Sequence, residues 1–241
     1  ITGAGSGIGR EVAVEMARAG AARIYACGRR ERPLDDLRAE LKSCEVVPLA
    51  FDVSDEMERR EIVGTVGARL DGLVNCAGDF FSKDLAETTD KDWDDMFRVN
   101  VGAPFALVRD LTPALKASIA GAAIVNIGST LADKPIPQTS AYNSSKAALR
   151  QMTRSLALDH APHSIRIKCV LPAIVDTPMF RGRFASHEEA EEGLKQAAAL
   201  HPLNRVGQPR DIASAVRYLL SPAAAWVTGV ILPVDGGMLC T

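Results

Sequence analysis

The chain opens with Ile1-Thr2-Gly3-Ala4-Gly5-Ser6-Gly7-Ile8-Gly9, a glycine-rich segment that runs directly into a helical pattern. A strand that turns tightly into a helix favours residues without a Cβ atom, both at the turn and where the backbone approaches a phosphate. The helix amino terminus then offers free N–H groups and a positive dipole end to an anion. Because no Lys-Ser or Lys-Thr pair follows, the segment predicts a dinucleotide-binding turn rather than a nucleotide-triphosphate P-loop.

Short apolar segments alternate with helical patterns along the rest of the chain. Six of them are predicted strands, at residues 23–27, 46–50, 72–75, 122–127, 165–170 and 230–234. Continuous apolar runs of this length are typical of parallel strands covered on both faces. The alternation predicts an α/β fold, a doubly wound parallel sheet of about seven strands with helices on both faces, as a single domain over residues 1–241.

The seventh strand of this sheet would be the central one, and it would contain Ile1 and Thr2. Two residues are too few for a strand, which normally needs about five. We therefore expect native residues upstream of Ile1, and incomplete pairing at the middle of the sheet in their absence.

The segment at about residues 178–209 interrupts the alternation just after a predicted strand. It contains Met179, Phe180 and Phe184, followed by an acidic stretch and a helical run. Ligand crevices of such sheets lie at the carboxyl ends of the strands, so the position favours a substrate lid. The alternative is a surface helical excursion.

Composition narrows the range of partners. The 28 basic and 30 acidic residues give a formal net charge of -2, which does not favour nucleic acid or an anionic membrane. No apolar run has transmembrane length, so we expect no membrane partner.

The five cysteines form no C-x-x-C pair, which indicates buried free thiols in a reducing compartment and a cytoplasmic protein. The histidines form no metal-binding pattern, so we interpret them as surface or loop residues and expect no metal site.

A tyrosine and a lysine in the second half of the chain carry the strongest functional signal. Tyr142 and Lys146 are four residues apart, and Ser129 precedes the tyrosine by thirteen residues. Residues four apart share one face of a helix. A lysine cation beside a phenol favours the phenolate and lowers its pKa from about 10 toward the working range of an acid–base catalyst. The spacing alone fits a solvated surface pair at least as well.

Six motifs that follow one another along the chain decide between a catalytic pair and a surface pair. They are Thr2-Gly3-x-x-x-Gly7-x-Gly9, Asn75-Cys76-Ala77-Gly78, Asn100, Ser129, Tyr142-x-x-x-Lys146 and the segment from Pro172 to Thr177. With them the chain resembles the short-chain dehydrogenases/reductases, in the branch of about 250 residues that consists of the Rossmann fold alone. The resemblance extends from Thr2 to Gly237, and it favours a catalytic pair over a surface pair.

The resemblance implies a role for each catalytic candidate. Tyr142 would be the general acid in carbonyl reduction and the base in alcohol oxidation. Lys146 would lower the pKa of the tyrosine and hold the nicotinamide ribose, and Ser129 would bind the substrate oxygen. Asn100 would hold a water that links the lysine to solvent; alternatively it is a buried polar residue bonded to a helix backbone.

The resemblance also implies a set of cofactor-binding residues. Within it, Asp52 would contact adenine, the segment at 75–78 would stabilise the sheet beside the cofactor, and Ile174 and Thr177 would touch the nicotinamide carboxamide. The full set is Gly3, Ser6, Gly7, Ile8, Gly9, Gly28, Arg29, Asp52, Val53, Asn75, Ala77, Gly78, Tyr142, Lys146, Pro172, Ile174 and Thr177.

The end of the second predicted strand bears on which nicotinamide cofactor is used. NAD-dependent enzymes place an acidic residue there to hold the ribose 2′-hydroxyl. The sequence has Gly28 at this position, followed by Arg29 and Arg30. Glycine leaves room for a 2′-phosphate and Arg29 can bond to it, so we favour NADP(H) over NAD(H). The alternative is that both arginines belong to a solvated loop.

Five residues that follow strand ends or lie in the expected lid are candidate substrate contacts, and each could instead be plain packing: Phe80, Leu131, Gln138, Met179 and Phe184. This mainly apolar set favours a small-molecule ketone or 3-oxoacyl substrate over a free sugar. An NAD-dependent alcohol, polyol or steroid dehydrogenase remains an alternative, as does a catalytically silent cofactor-binding regulator. The resemblance further implies a homo-oligomer, tetramer or dimer, that assembles through helices at about residues 90–118 and 140–159.

Three positions depart from the family pattern. Cys76 stands where a second Asn is usual, Gly128 where a Ser often precedes the catalytic one, and Ala173 where a Gly usually follows the proline. If residue 173 has a positive φ, its Cβ atom would cost on the order of 1 kcal/mol. None of the three removes a reacting group.

Overall fold

Six parallel strands form the centre of the protein, which a computed structural model describes over residues 1–241. The strands are β1 (Arg23–Cys27), β2 (Glu45–Leu49), β3 (Gly72–Asn75), β4 (Ala123–Ile127), β5 (Arg166–Pro172) and β6 (Ile231–Val234). All six lie where the sequence predicts strands, with bounds that differ by two residues at most.

Nine α-helices connect and cover these strands. They are α1 (Gly7–Arg18), α2 (Glu31–Glu40), α3 (Glu56–Val66), α4 (Asp90–Phe97), α5 (Ala103–Lys116), α6 (Ser140–His160), α7 (Pro178–Arg181), α8 (His187–Ala198) and α9 (Pro209–Leu220). A short π-helix, Arg98–Gly102, joins α4 to α5. The two helices α7 and α8 occupy the segment predicted to be a lid.

The sheet consists of a two-stranded part, β1-β2, and a four-stranded part, β3-β4-β5-β6. Ile1 and Thr2 run between them. The Thr2 N–H donates to the Val74 carbonyl at 2.9 Å, and the Cys27 N–H donates to the Ile1 carbonyl at 2.9 Å. These two residues take the place of the expected seventh strand as a single bridge, because they are too few to form a ladder.

Helices pack on both faces because neighbouring strand residues point to opposite sides. Leu73 and Ile124 pack into a cluster with α3, α5 and α6, whereas Val74 and Val125 pack against α1 and α9. Side chains alternate across a strand, so a strand that is apolar at every position can bury both of its faces. The doubly wound α/β architecture predicted from the sequence is therefore confirmed.

Two further observations concern residues away from the main site. His201, predicted to be a surface or loop residue, lies in the loop after α8 but is buried at 3% exposure, with its Nδ1 bonded to the Ala197 carbonyl at 2.8 Å. Its ring packs against Gly236, which follows β6. None of the helices combines the length and the apolar character that crossing a membrane requires.

Candidate active site

The glycine turn joins the bridge at Thr2 to helix α1. Gly3 and Gly7 have φ angles of +67° and +53°, which favour residues without a side chain. A Cβ atom on Gly9 would come within 2.4 Å of the Gly3 carbonyl oxygen, so this helix residue must also be glycine. Ser6 makes no side-chain cap, which leaves the first N–H groups of α1 free to bind an anion.

Thr2 fixes the segment that follows β3 beside this turn. Its hydroxyl oxygen accepts hydrogen bonds from the N–H groups of Cys76 at 3.0 Å and Ala77 at 2.9 Å. Asn75 lies behind that segment and donates to Asn126 at 2.8 Å inside the sheet. Sequence reasoning assigned no role to the Thr2 hydroxyl, and only its position before the first glycine could have pointed to one.

A cavity of about 1220 Å³ opens along the carboxyl ends of the strands. Three of the four catalytic candidates line it, Ser129, Tyr142 and Lys146, and Asn100 lies behind the wall. All of the predicted cofactor-binding residues except Asn75 line the same cavity. Of the substrate candidates it brings together Phe80, Leu131, Met179 and Phe184. Gln138 is not part of the lining; its carbonyl accepts from the Lys83 N–H at 2.8 Å.

Tyr142 is held between a polar and an aromatic neighbour. Its ring meets Phe80 edge-on, with centres 4.9 Å apart. Burial raises the pKa of the Tyr142 phenol above its usual value, while a hydrogen bond with Ser129 and the charge of Arg183 act in the opposite direction. The phenol is therefore a neutral acid next to the Ser129 hydroxyl.

Lys146 lies one helical turn along α6, as the sequence spacing predicts. Its Nζ donates to the Ile127 carbonyl at 3.0 Å and lies 5.6 Å from the centre of the Tyr142 ring. Burial lowers the pKa of Lys146. Burial outweighs the opposing effects of Ser129 and Arg183, so the pKa of the tyrosine is raised overall, and its lowering by Lys146 stays a prediction.

Asn100 occupies the π-helix between α4 and α5, a distortion that is frequent at functional sites. Its Oδ1 accepts from the Asp79 N–H at 2.9 Å, and its Nδ2 donates to the Asp79 carbonyl and to the Ser145 hydroxyl, both at 3.0 Å. A Cβ atom on Gly78 would lie 3.1 Å from Oδ1 of Asn100 and 3.4 Å from Nζ of Lys146. Asn100 thus holds the loop after β3 against the lysine.

The other end of the cavity lies beyond β1 and β2. Gly28, Arg29 and Arg30 line it, together with Asp52 and Val53. Burial raises the pKa of Asp52, but hydrogen bonds from Ser54 and the charges of Arg29 and Arg98 outweigh this and leave the pKa below its usual value. The carboxylate is ionised and can accept hydrogen bonds from an adenine.

The three departures from the family pattern each have a local explanation. A Cβ atom on Gly128 would lie 2.6 Å from a methyl carbon of Leu171 and 2.9 Å from Sγ of Cys169, so a serine has no space there. Ala173 is not among the residues with positive φ and carries no strain of that kind. Cys76 is partly buried and lines the cavity, and the loss of solvent around its thiol raises its pKa to about 11.

Helices α7 and α8 close one side of the cavity with aromatic side chains. The rings of Phe180 and Phe184 are 5.4 Å apart, and the Phe184 ring lies directly on Gly193 of α8. Arg183 stacks on Phe80 and Phe180, with its guanidinium carbon 4.9 and 5.5 Å from the two ring centres. The sequence gives no signal for Arg183, since no local pattern distinguishes it from Arg181 two residues earlier.

Comparison with known proteins extends over nearly the whole chain. A family model described as Enoyl-(Acyl carrier protein) reductase matches residues 3–239. Galactitol 2-dehydrogenase (L-tagatose-forming) of Cereibacter sphaeroides is 37% identical, over 98% of this chain and 92% of that protein. L-xylulose reductase of Bos taurus is 33% identical, over 100% and 96%.

Solved structures agree with these sequence matches. L-sorbose reductase from Gluconobacter frateurii, determined in complex with NADPH and L-sorbose, superposes with a TM-score of 0.94 at 30% identity. The match covers 100% of this chain and 95% of that one. The family model thus matches almost the full length of this chain, and relatives are more than 30% identical to it. The chain belongs to the short-chain dehydrogenase/reductase family and is an oxidoreductase that acts on CH–OH groups.

Proposed function

We propose that this protein is an NADP(H)-dependent oxidoreductase that interconverts a carbonyl compound and its alcohol, with Tyr142 as the general acid or base. One observation carries the proposal: Ser129, Tyr142 and Lys146 open into the same cavity as the glycine turn. A bound nicotinamide cofactor would exchange a hydride with the carbonyl carbon. The residues of the chain then have to place the carbonyl, move one proton and exclude water.

Tyr142 is suited to the proton transfer because its phenol is neutral and hydrogen-bonded. In reduction it donates its proton to the substrate oxygen, while the Ser129 hydroxyl donates a second hydrogen bond to the same oxygen. The Lys146 ammonium, 5.6 Å from the Tyr142 ring, stabilises the phenolate that remains and is placed to hold the ribose of the cofactor. Asn100 supports Tyr142 and Lys146 by fixing the loop at Asp79.

The glycine turn is built to accept the pyrophosphate of the cofactor. Cβ atoms at residues 3, 7 and 9 would crowd Ala77, Thr177 and the Gly3 carbonyl, so the turn keeps its tight shape only with glycines, and α1 directs free N–H groups toward the cavity. The preference for NADP(H) is supported by the far end of the cavity, where Gly28 replaces an acidic residue and two arginines line the wall. The relative from G. frateurii was solved with NADPH.

For the substrate we favour a ketone or an acyl carbonyl compound. Phe80, Leu131, Met179, Phe180 and Phe184 give the substrate end an apolar wall, with α7 and α8 as its lid. A second candidate is a ketose or polyol, which would make the protein a polyol dehydrogenase. The names of the relatives, xylulose reductase, galactitol dehydrogenase and sorbose reductase, support this candidate.

We also propose that the protein is a cytoplasmic homo-oligomer, a tetramer or dimer. Helices α5 and α6 present Phe105 and Leu158 to solvent, at 45% and 77% exposure. Large exposed apolar side chains on neighbouring helices are typical of surfaces that a second subunit covers. Light scattering at several protein concentrations would measure the assembly.

The function is tested by a screen of ketones, oxo acids, oxoacyl thioesters and ketoses, each with NADPH and with NADH. Oxidation of the cofactor at 340 nm is the readout, and Tyr142→Phe is measured in parallel. We expect turnover of at least one carbonyl class with NADPH and its loss in the variant. Unchanged turnover in Tyr142→Phe would refute the assigned role of the tyrosine, and turnover with NADH alone would refute the cofactor preference.

A further inference from the structure

Arg183 places a positive charge at the substrate end of the cavity, where its side chain is exposed to solvent. It follows α7, lines the cavity, and stacks its guanidinium on the rings of Phe80 and Phe180. Phe80 in turn meets Tyr142 edge-on, with ring centres 4.9 Å apart. A single aromatic ring therefore separates the guanidinium from the proposed acid, and the charge of Arg183 acts on the Tyr142 phenol.

The guanidinium of Arg183 has no hydrogen-bond or ion-pair partner within the chain. Its neighbours along the lid differ in this respect: Arg181 forms ion pairs with Asp176 and Glu191, at 2.5 and 2.7 Å. Both rings lie within cation–π distance of the guanidinium carbon, and neither accepts a conventional hydrogen bond from its five N–H groups. The aromatic rings thus hold a group whose donors are still available.

The other charged side chains of this part of the cavity do not take the same role. Lys134 donates to the carbonyl oxygens of Met238 and Thr241, at 3.4 and 2.8 Å. Asp79 is the acidic residue here; its Oδ1 accepts from the Phe80 N–H at 2.9 Å and makes no ion pair with Arg183. Arg183 is therefore the cation with free donors at this end.

We infer that the substrate is an oxo carboxylic acid, and that Arg183 determines specificity by binding its carboxylate. This inference rests on the proposed function. A planar carboxylate accepts two parallel hydrogen bonds from one guanidinium, which suits a single free arginine. The apolar wall formed by Leu131, Met179 and Phe184 accommodates the hydrocarbon part of the acid.

The reaction balances without further reactants. The carbonyl carbon of the oxo acid accepts the hydride from the reduced nicotinamide, and its oxygen accepts the proton of Tyr142. The carboxylate stays unchanged on Arg183, and the product is a hydroxy acid. Binding the carboxylate one aromatic ring away from Tyr142 orients the carbonyl toward Tyr142 and Ser129.

The test compares acids with their neutral isosteres. The probes are 2-oxo-, 3-oxo- and 4-oxohexanoic acid and the primary amide of each, assayed with NADPH. For each pair the readout is the ratio of kcat/KM for the acid to that for the amide. In the wild type we expect a ratio of about ten or more for at least one pair, as a charge-assisted bidentate contact provides.

Three variants separate a specific contact from a general effect of charge. Arg183→Gln should bring the ratio to about one, and Arg183→Lys should restore part of it because the charge remains without the fork. Lys195→Gln removes an exposed charge from α8 that does not line the cavity, and it should keep the wild-type ratio.

The possible results distinguish a failure of the carboxylate inference from a failure of the proposed function. Equal rates for acids and amides in the wild type, or an unchanged ratio in Arg183→Gln, would overturn the carboxylate inference and leave the proposed function standing. If the wild type oxidises NADPH with neither acids nor amides, nor with any other carbonyl, both fail together.

Discussion

The ammonium nitrogen of Lys146 lies 5.6 Å from the centre of the Tyr142 ring, one turn away along the same helix. Both side chains are buried, and burial disfavours the charged form of each. The pKa of the tyrosine is therefore raised and that of the lysine lowered. Such a pair suits a proton transfer in which the phenol begins neutral and becomes charged only as the substrate accepts its proton.

Replacing Tyr142 with phenylalanine removes the proton donor and keeps the ring that packs against Phe80. We expect kcat for carbonyl reduction to fall by about 10² to 10⁴, the usual contribution of a positioned acid. Binding of NADPH, followed by its fluorescence, should change much less than kcat, because one hydroxyl group is lost while the glycine turn and Arg29 remain. A variant that keeps wild-type kcat would remove Tyr142 from the mechanism.

The raised pKa of Tyr142 predicts how the two directions of the reaction depend on pH. Reduction needs the neutral phenol, so kcat/KM should stay level through neutral pH and fall only above about pH 10, the ordinary tyrosine value. Oxidation needs the phenolate and should accelerate as the pH rises. Initial rates in both directions from pH 6 to 11 measure this, and a loss of reductase activity near pH 7 would contradict the prediction.

Cofactor preference should change with one substitution at the end of β1. A Cβ atom on Gly28 would meet Leu34 at 3.7 Å and the Gly5 backbone nitrogen at 3.8 Å, both ordinary contacts, so Gly28→Asp fits. The new carboxylate should repel a 2′-phosphate and accept the ribose hydroxyls of NAD. We expect the ratio of kcat/KM for NADPH over NADH to fall by about tenfold or more.

Arg29→Ala tests the same assignment from the opposite direction. It removes a cation from the cavity without adding an acid, so NADPH binding should weaken while NADH binding stays nearly constant. Equal affinity for NADPH in the wild type and in Arg29→Ala would show that the arginine belongs to a solvated loop.

The sequence predicted most of the fold because its signals are local. Backbone sterics explain why residues 3, 7 and 9 are glycines. Strands such as 72–75 are apolar runs in the sequence because both faces of the sheet are buried. The positions of Ser129, Tyr142 and Lys146 in one cavity also follow, since each lies at the carboxyl end of a strand or on the helix that packs there.

What the sequence could not predict depends on contacts between distant segments. Arg183 gains its role from Phe80, about a hundred residues earlier, and the pKa of Tyr142 depends on burial by several elements. Gln138 follows the expected pattern for a substrate contact, yet it has a φ of +63° and does not line the cavity. No local pattern encodes these placements.

Gly193 of α8 should be sensitive to the smallest substitution. A Cβ atom there would lie 2.4 Å from Cζ of Phe184, so Gly193→Ala must push that ring away from the helix and change the substrate end of the cavity. We expect a higher KM for the substrate and little change in the KM for NADPH.

Gly64→Ala provides a matched control for that helical substitution. It lies inside α3 with no atom within 4 Å of the new methyl group, so it should stabilise the protein by about 0.5–1 kcal/mol and leave both KM values unchanged. If Gly193→Ala behaved in the same way, Phe184 would have no part in shaping the substrate end.

Lys168 of β5 predicts a dependence of stability on pH. It is fully buried, its Nζ donates to the Leu219 carbonyl at 2.7 Å, and burial lowers its pKa to about 7. Unfolding restores a pKa of about 10.5, so the unfolded chain binds this proton more tightly, and the native protein loses stability as the pH falls from 10.5 to 7. Arg166 also donates to the Leu219 carbonyl, at 3.0 Å, so we expect Lys168→Met to leave that carbonyl with a partner. We expect the unfolding free energy of the wild type, relative to this variant, to rise by about 1 kcal/mol per pH unit between pH 7.5 and 9.5 in urea titrations. Parallel curves for the two proteins across that range would show that the pKa of Lys168 is not lowered in the native protein.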